Sequence, residues 1–96
     1  MPKSILQDKK CCYFTGRTDR LHLHHIYFSR GLRKISDREG FTVYLIPELH
    51  NMSNEGVHFN RALDLKLKQD CQRKYEETHS REEFIKIIGK NYIMDD

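Results

Sequence analysis

Six of the 96 residues are histidine, and four of them fall where imidazoles could act together: the tandem pair His24-His25, then His50 and His58. Two or three imidazoles converging on one point can hold a divalent ion. A neighbouring imidazole outside the ligand set, neutral near physiological pH, can take a proton from water. Together these are the parts that metal-assisted phosphodiester hydrolysis needs. A base makes the nucleophile, and an ion stabilises charge on the phosphate and the leaving oxygen.

Such a site requires elements that bring distant histidines together. In Arg20–Phe28, Leu21 and Leu23 alternate with His22 and His24, the period of a strand. Phe41–Ile46, rich in β-branched and aromatic residues, reads as a second strand that Pro47 ends. The stretch between them, Ser29 to Gly40, is basic and Gly-bounded without a clean period, and reads as a loop. Pairing the two strands sets the end of the first beside the start of the second. Neighbouring side chains of a flat strand point to opposite faces, so His24 and His25 can share a site only where the strand ends, bulges or twists. Residues 48–56 read as a polar turn, with a helical turn admissible at its start.

From His58 the period changes. Phe59, Leu63, Leu67, Cys71 and Tyr75 fall four apart, the stripe of an amphipathic helix, with Asp64–Lys68 and Asp70–Lys74 as supporting pairs. Ser80 with Glu83 forms a capping box before Phe84, Ile85, Ile87 and Ile88, and Gly89 stops that second helix. Residues 91–94 pack back. Residues 1–10 are polar and basic, and read as a loose arm or a short lead-in helix. The expected fold is α+β in one domain spanning 1–96: a long-looped β-hairpin packed on a helix, with an extra C-terminal helix.

The runs LHLHHIYF and VYLIPELHNMSNEGVHFN, followed by a long helix, resemble the HNH (His-Me finger, ββα-metal) endonucleases, especially small phage-type members. The resemblance runs from Cys12 to Asn60, about half the chain. It implies a ββα-metal core over 12–60, with the helical part continuing over 58–94. It implies His25 as general base, and His24 and His50 as ligands of a divalent ion, Mg, Mn, Ni or Zn. Imidazole ligation favours the transition metals. His58 is the favoured third ligand, and Asn54, four residues after His50, is the alternative. The middle Asn of the family orients the base-bearing segment. No Asn lies within 29–49, so either Asn51 serves or the role is empty. Many members also carry a zinc knuckle of two Cys pairs. Here Cys12 holds the first position, but Thr15, Ile46 and Leu49 hold the others, so no structural zinc knuckle is expected.

The implied activity is metal-dependent cleavage or nicking of double-stranded DNA, with Arg30, Arg33, Lys34 and Arg38 of the basic loop contacting phosphate, and Arg17 and Arg20 extending the patch. A non-catalytic binding or inhibitor module on the same fold is the alternative. A structural zinc domain using His24, His50, His58 and Cys12 is the third reading. A second copy of the chain, or a phage or host protein, is left open as a further partner. His22 reads as structural or peripheral, and His79 as solvent-exposed.

Composition bounds these readings. Charged residues make up 32% and apolar residues 38%, at 11.6 kDa and a mean hydropathy of −0.78. The core is therefore small, and no apolar run approaches the ~18 residues of a spanning helix. The net charge of +3 permits nucleic-acid binding without demanding it. Three cysteines, two of them adjacent, suit small buried thiols in a reduced compartment better than a disulfide scaffold. No secretory leader is expected, since residues 1–10 hold no hydrophobic run. The expected setting is the cytoplasm of a bacterial or phage-infected host cell.

Overall fold

The computed structural model describes residues 4–28, 31–50 and 61–93. Among them the order is β1 (His22–His25), α1 (Leu32–Glu39), β2 (Thr42–Leu45), α2 (Pro47–His50), α3 (Arg61–Tyr75) and α4 (Arg81–Ile88). β1 and β2 pair antiparallel, with His24 opposite Val43 and His25 opposite Thr42. This is a small α+β fold built on a two-stranded hairpin.

The connection between the strands corrects the sequence expectation. Ser29 to Gly40 reads as a loop in the sequence, yet Leu32–Glu39 is a helix bounded by Gly31 and Gly40, both left-handed at φ 86° and 78°. Its inward positions are Leu32, Ile35 and Ser36. The buried one is a serine, which breaks the apolar stripe by which a helix is recognised. Ser36 works through its hydroxyl. Its Oγ donates to the Tyr27 carbonyl at 2.6 Å and accepts from the Tyr27 N–H at 3.1 Å.

That clasp also sets the length of β1. The ladder runs one step past the strand, Ile26 N–H to the Phe41 carbonyl at 2.9 Å. The backbone groups of Tyr27 then turn to Ser36, so the strand stops at His25 instead of continuing to Phe28. The Tyr27 side chain enters the core. Its hydroxyl donates to the Lys68 carbonyl of α3 at 2.7 Å, and its ring meets Phe41 and Phe84 edge-on. Burial, with Cys71 beside it, raises the pKa of that hydroxyl. Each such aromatic pair adds about 0.5–1.5 kcal/mol beyond the area it buries.

The N-terminal segment is a second correction. Residues 4–7 do not hang loose and form no lead-in helix. The Ser4 hydroxyl donates to the Thr42 carbonyl, Ile5 N–H to the Gly40 carbonyl at 2.9 Å, and Gln7 Oε1 accepts from Tyr44 N–H at 2.8 Å. Tyr13 N–H adds a bond to the Tyr44 carbonyl. The outer edge of β2 is thereby covered, which answers the unpaired groups that an edge strand otherwise presents.

The helices follow their periodicity. Leu67, Cys71 and Tyr75 of α3 are buried, with Leu63 packed beside them; Phe59 lies outside the described residues. Lys68 pairs with Asp64 at 2.6 Å as expected. Asp70 does not pair with Lys74. It takes Lys66 at 3.0 Å and the Tyr13 hydroxyl at 3.0 Å, while Lys74 turns to Glu77. The capping box before α4 is present in both directions, and left-handed Gly89 ends the helix. Gln72 and Gln69 hold the Tyr92 backbone, which draws Ile93 into the core.

Replacing Ser36 with Ala strands a buried N–H and a buried carbonyl. It is expected to lower unfolding free energy by about 2–3 kcal/mol, measured by urea denaturation. A loss below ~0.5 kcal/mol would show that the clasp does not hold α1.

Candidate active site

β1 places His22 and His24 on one face, and α2 delivers His50 to that face. Pro47 opens α2, where a missing N–H costs nothing. The N–H groups of Leu49 and His50 both close on the Ile46 carbonyl at 3.0 Å. This single turn swings the chain back across β1. The His24 and His50 ring centroids are 5.2 Å apart, and those of His22 and His50 are 5.3 Å apart. His22 Nδ1 and His50 Nδ1 approach to 3.2 Å. Any metal complex of His50 that keeps this contact must use Nε2.

His25 resolves the problem of opposite faces because the strand ends at it. Backbone bends follow at Ile26 and Tyr27, and the His25 ring remains on the rim of the cleft that His24 and His50 line. That cleft has a volume of about 290 Å³, and Leu23, Phe28 and Arg33 complete its lining. On its other side His25 faces a second cleft lined by Gly31, Arg33, Lys34 and Asp37. Its Nε2 stands 3.4 Å from Asp37 Oδ1.

The structure therefore brings together His24, His25 and His50, with Arg33 beside them. It places Lys34, the residue after Arg33, on the second cleft with Asp37. Arg38 points elsewhere and pairs with Glu39 at 3.0 Å. Arg17 pairs with Asp19 and Arg20 with Glu48, so neither adds an uncommitted charge to the patch. Phe28 is 41% exposed at the cleft, with the Lys68 ammonium 4.4 Å from its ring centre. His58, Asn51, Asn54 and Arg30 lie outside the described residues. His79 is exposed and stacks on Tyr75.

Among the described residues, no three His, Cys, Asp or Glu side chains form a ligating group. The third reading, an ion shared by Cys12 with the histidines, therefore finds no such cluster in its described members. Cys12 instead sits where a zinc knuckle would begin. Its carbonyl accepts from Gly16 N–H at 2.9 Å and its N–H donates to the Arg17 carbonyl at 2.7 Å. Burial pushes the Cys12 thiol up, but hydrogen bonds with the Thr15 side chain and with the Ile46, Thr15 and Phe14 backbone outweigh it and leave the pKa lowered. Ile46 is in the core and Leu49 packs against it. Hydrogen bonds and apolar contact thus surround Cys12, Thr15, Ile46 and Leu49.

Asp37 is the participant that the sequence pattern does not reveal, because its helix carries no apolar period. His22, which reads as structural or peripheral on the His24 face, meets the His50 ring without lining the cleft. In comparisons with family models, with curated proteins and with solved structures, nothing matches this chain.

Cys12→Ala is expected to cost about 1–3 kcal/mol of stability in urea denaturation, because hydrogen-bonding groups around the thiol lose their partner. The same loss is expected with and without chelator. A loss that appears only without chelator would mean that Cys12 acts through an ion.

Proposed function

We propose that this chain is a small metal-dependent DNA endonuclease or nicking enzyme of the HNH (ββα-metal) type. The observation that carries the reading is the cleft shared by His24, His25 and His50, contributed by a strand end and by a helical turn 25 residues later. That these three of the four spaced histidines line one cleft supports the reading.

His24 and His50 fit two positions of an imidazole-rich cation site, and the favoured third donor, His58, falls in the undescribed stretch 51–60. His24 and His50 would help to hold a divalent ion, which when bound would supply stabilisation of negative charge at the scissile phosphate and the leaving oxygen. His25 takes the proton from the attacking water, since its ring borders the cleft without being needed as a ligand. Arg33 lines the same cleft and supplies a guanidinium for a phosphate oxygen. Lys34 extends that charge along α1. Phe28, exposed at the rim, offers a face for an unstacked base or a sugar.

Purified protein is expected to nick or cut plasmid DNA with at least one of Mg²⁺, Mn²⁺, Ni²⁺ or Zn²⁺, and to stop with EDTA. His25→Ala is expected to lose at least about 100-fold in rate while keeping its fold and metal affinity. Even outer-sphere changes at metal sites cost about 10–100-fold in affinity, so His24→Ala and His50→Ala are expected to lose at least about 100-fold by titration calorimetry. DNA binding without cleavage under every ion would overturn the enzyme and leave the non-catalytic module. Full activity in His25→Ala would remove the base.

A further inference from the structure

The nuclease reading leaves the base-orienting role open, since its sequence candidate, Asn51, lies outside the described residues. The resemblance asks for a side chain that steadies the base-bearing segment, and the strand connection holds no Asn. We propose that Asp37 takes this role, as a positioning residue that holds the His25 ring with its proton on Nε2 and its lone pair on Nδ1.

The contact joins elements that are already locked together. His25 is the last residue of β1, and two residues later Tyr27 is bound through both backbone groups to Ser36, the neighbour of Asp37. The position of Asp37 relative to His25 is thus set by a buried clasp, not by the reach of a flexible surface chain. Asp37 Oδ1 lies 3.4 Å from His25 Nε2, long for a hydrogen bond, as catalytic contacts commonly are before substrate tightens them. The His25 side chain is only 15% exposed, so few other orientations are open to the ring, while Asp37 is 42% exposed and can follow it.

The chemistry selects the tautomer. An ionised carboxylate only accepts hydrogen bonds, so the nitrogen facing it must carry the hydrogen. In the neutral ring, Nδ1 then keeps the lone pair that a base needs. Nδ1, on the ring edge away from Asp37, is then the atom that takes the proton from water. Asp37 touches neither ion nor phosphate in this scheme. Its removal costs orientation of the ring, not substrate binding.

The catalytic meaning rests on the nuclease reading, whereas the contact itself does not, and one set of variants separates the two. In proton NMR of the full metal-free chain at about pH 8, where a free imidazole is neutral, a solvent-protected His25 Nε2–H resonance is expected. It should vanish in His25→Gln, which assigns it, and in Asp37→Ala. In the plasmid assay Asp37→Ala is expected to lose about 10–100-fold in kcat at unchanged KM and metal affinity. Asp37→Asn, which keeps an acceptor oxygen, should recover part of the loss. A resonance that persists in Asp37→Ala overturns the proposal, and so does a wild-type rate in that variant or a loss confined to KM or metal affinity. If the resonance depends on Asp37 but the native chain cleaves under no ion, the nuclease reading falls, and the catalytic role with it, while the contact stands.

Discussion

One side chain holds the architecture together where the site is made. The Ser36 hydroxyl takes both backbone groups of Tyr27 and is buried in doing so. A buried peptide group without a partner costs about 1–3 kcal/mol, so the chain can leave the ladder after Ile26 only because Ser36 replaces the lost strand bonds. Three consequences follow from that exchange. β1 ends at His25, the Tyr27 ring drops between α3 and α4, and α1 is fastened against the strand end. His25, the cleft and the basic helix beside it all take their positions from this departure.

The cleft itself depends on a second short-range device. α2 is one turn long, with too few residues to be stable alone, and it is held by contacts to both strands. It closes on the Ile46 carbonyl because Pro47 is preset for a helix start and needs no donor there. His50 is therefore brought to His22 and His24 by backbone geometry rather than by attraction between the rings. Two imidazoles that approach Nδ1 to Nδ1 can share only one proton between those atoms, and such a contact is tolerated because His22 is exposed to solvent.

The segment around Cys12 covers the outer edge of β2 with backbone and side-chain contacts. Cys12 bridges to Tyr44, the Tyr13 hydroxyl reaches Asp70 of α3, and residues 4–7 extend the cover. Burial, together with the acceptor it meets in Asp70, pushes the Tyr13 hydroxyl up to about 12, so the phenol remains a donor across the physiological range. Apolar Ile46 and Leu49 then serve as core, where thiolates without a metal would be costly to bury.

Local pattern carried much of this protein. The two strands, the Pro47 stop, the stripe from Leu63 to Tyr75 and the Ser80–Glu83 box are all legible because each is decided by neighbours within one or two turns. The tandem histidines and His50 were also legible as a group, since spacing and strand pairing suffice to predict that they meet. Tertiary structure alone decided α1, the docking of residues 4–7, and the choice of Asp70 for Lys66 and Tyr13 over Lys74. In α1 the buried position is held by a hydroxyl whose worth lies entirely in the Tyr27 backbone it meets, nine residues away. A residue that stabilises by hydrogen bonding to a distant peptide leaves no hydrophobic period behind it. That is why the helix, and with it the carboxylate facing His25, became visible only in the folded chain.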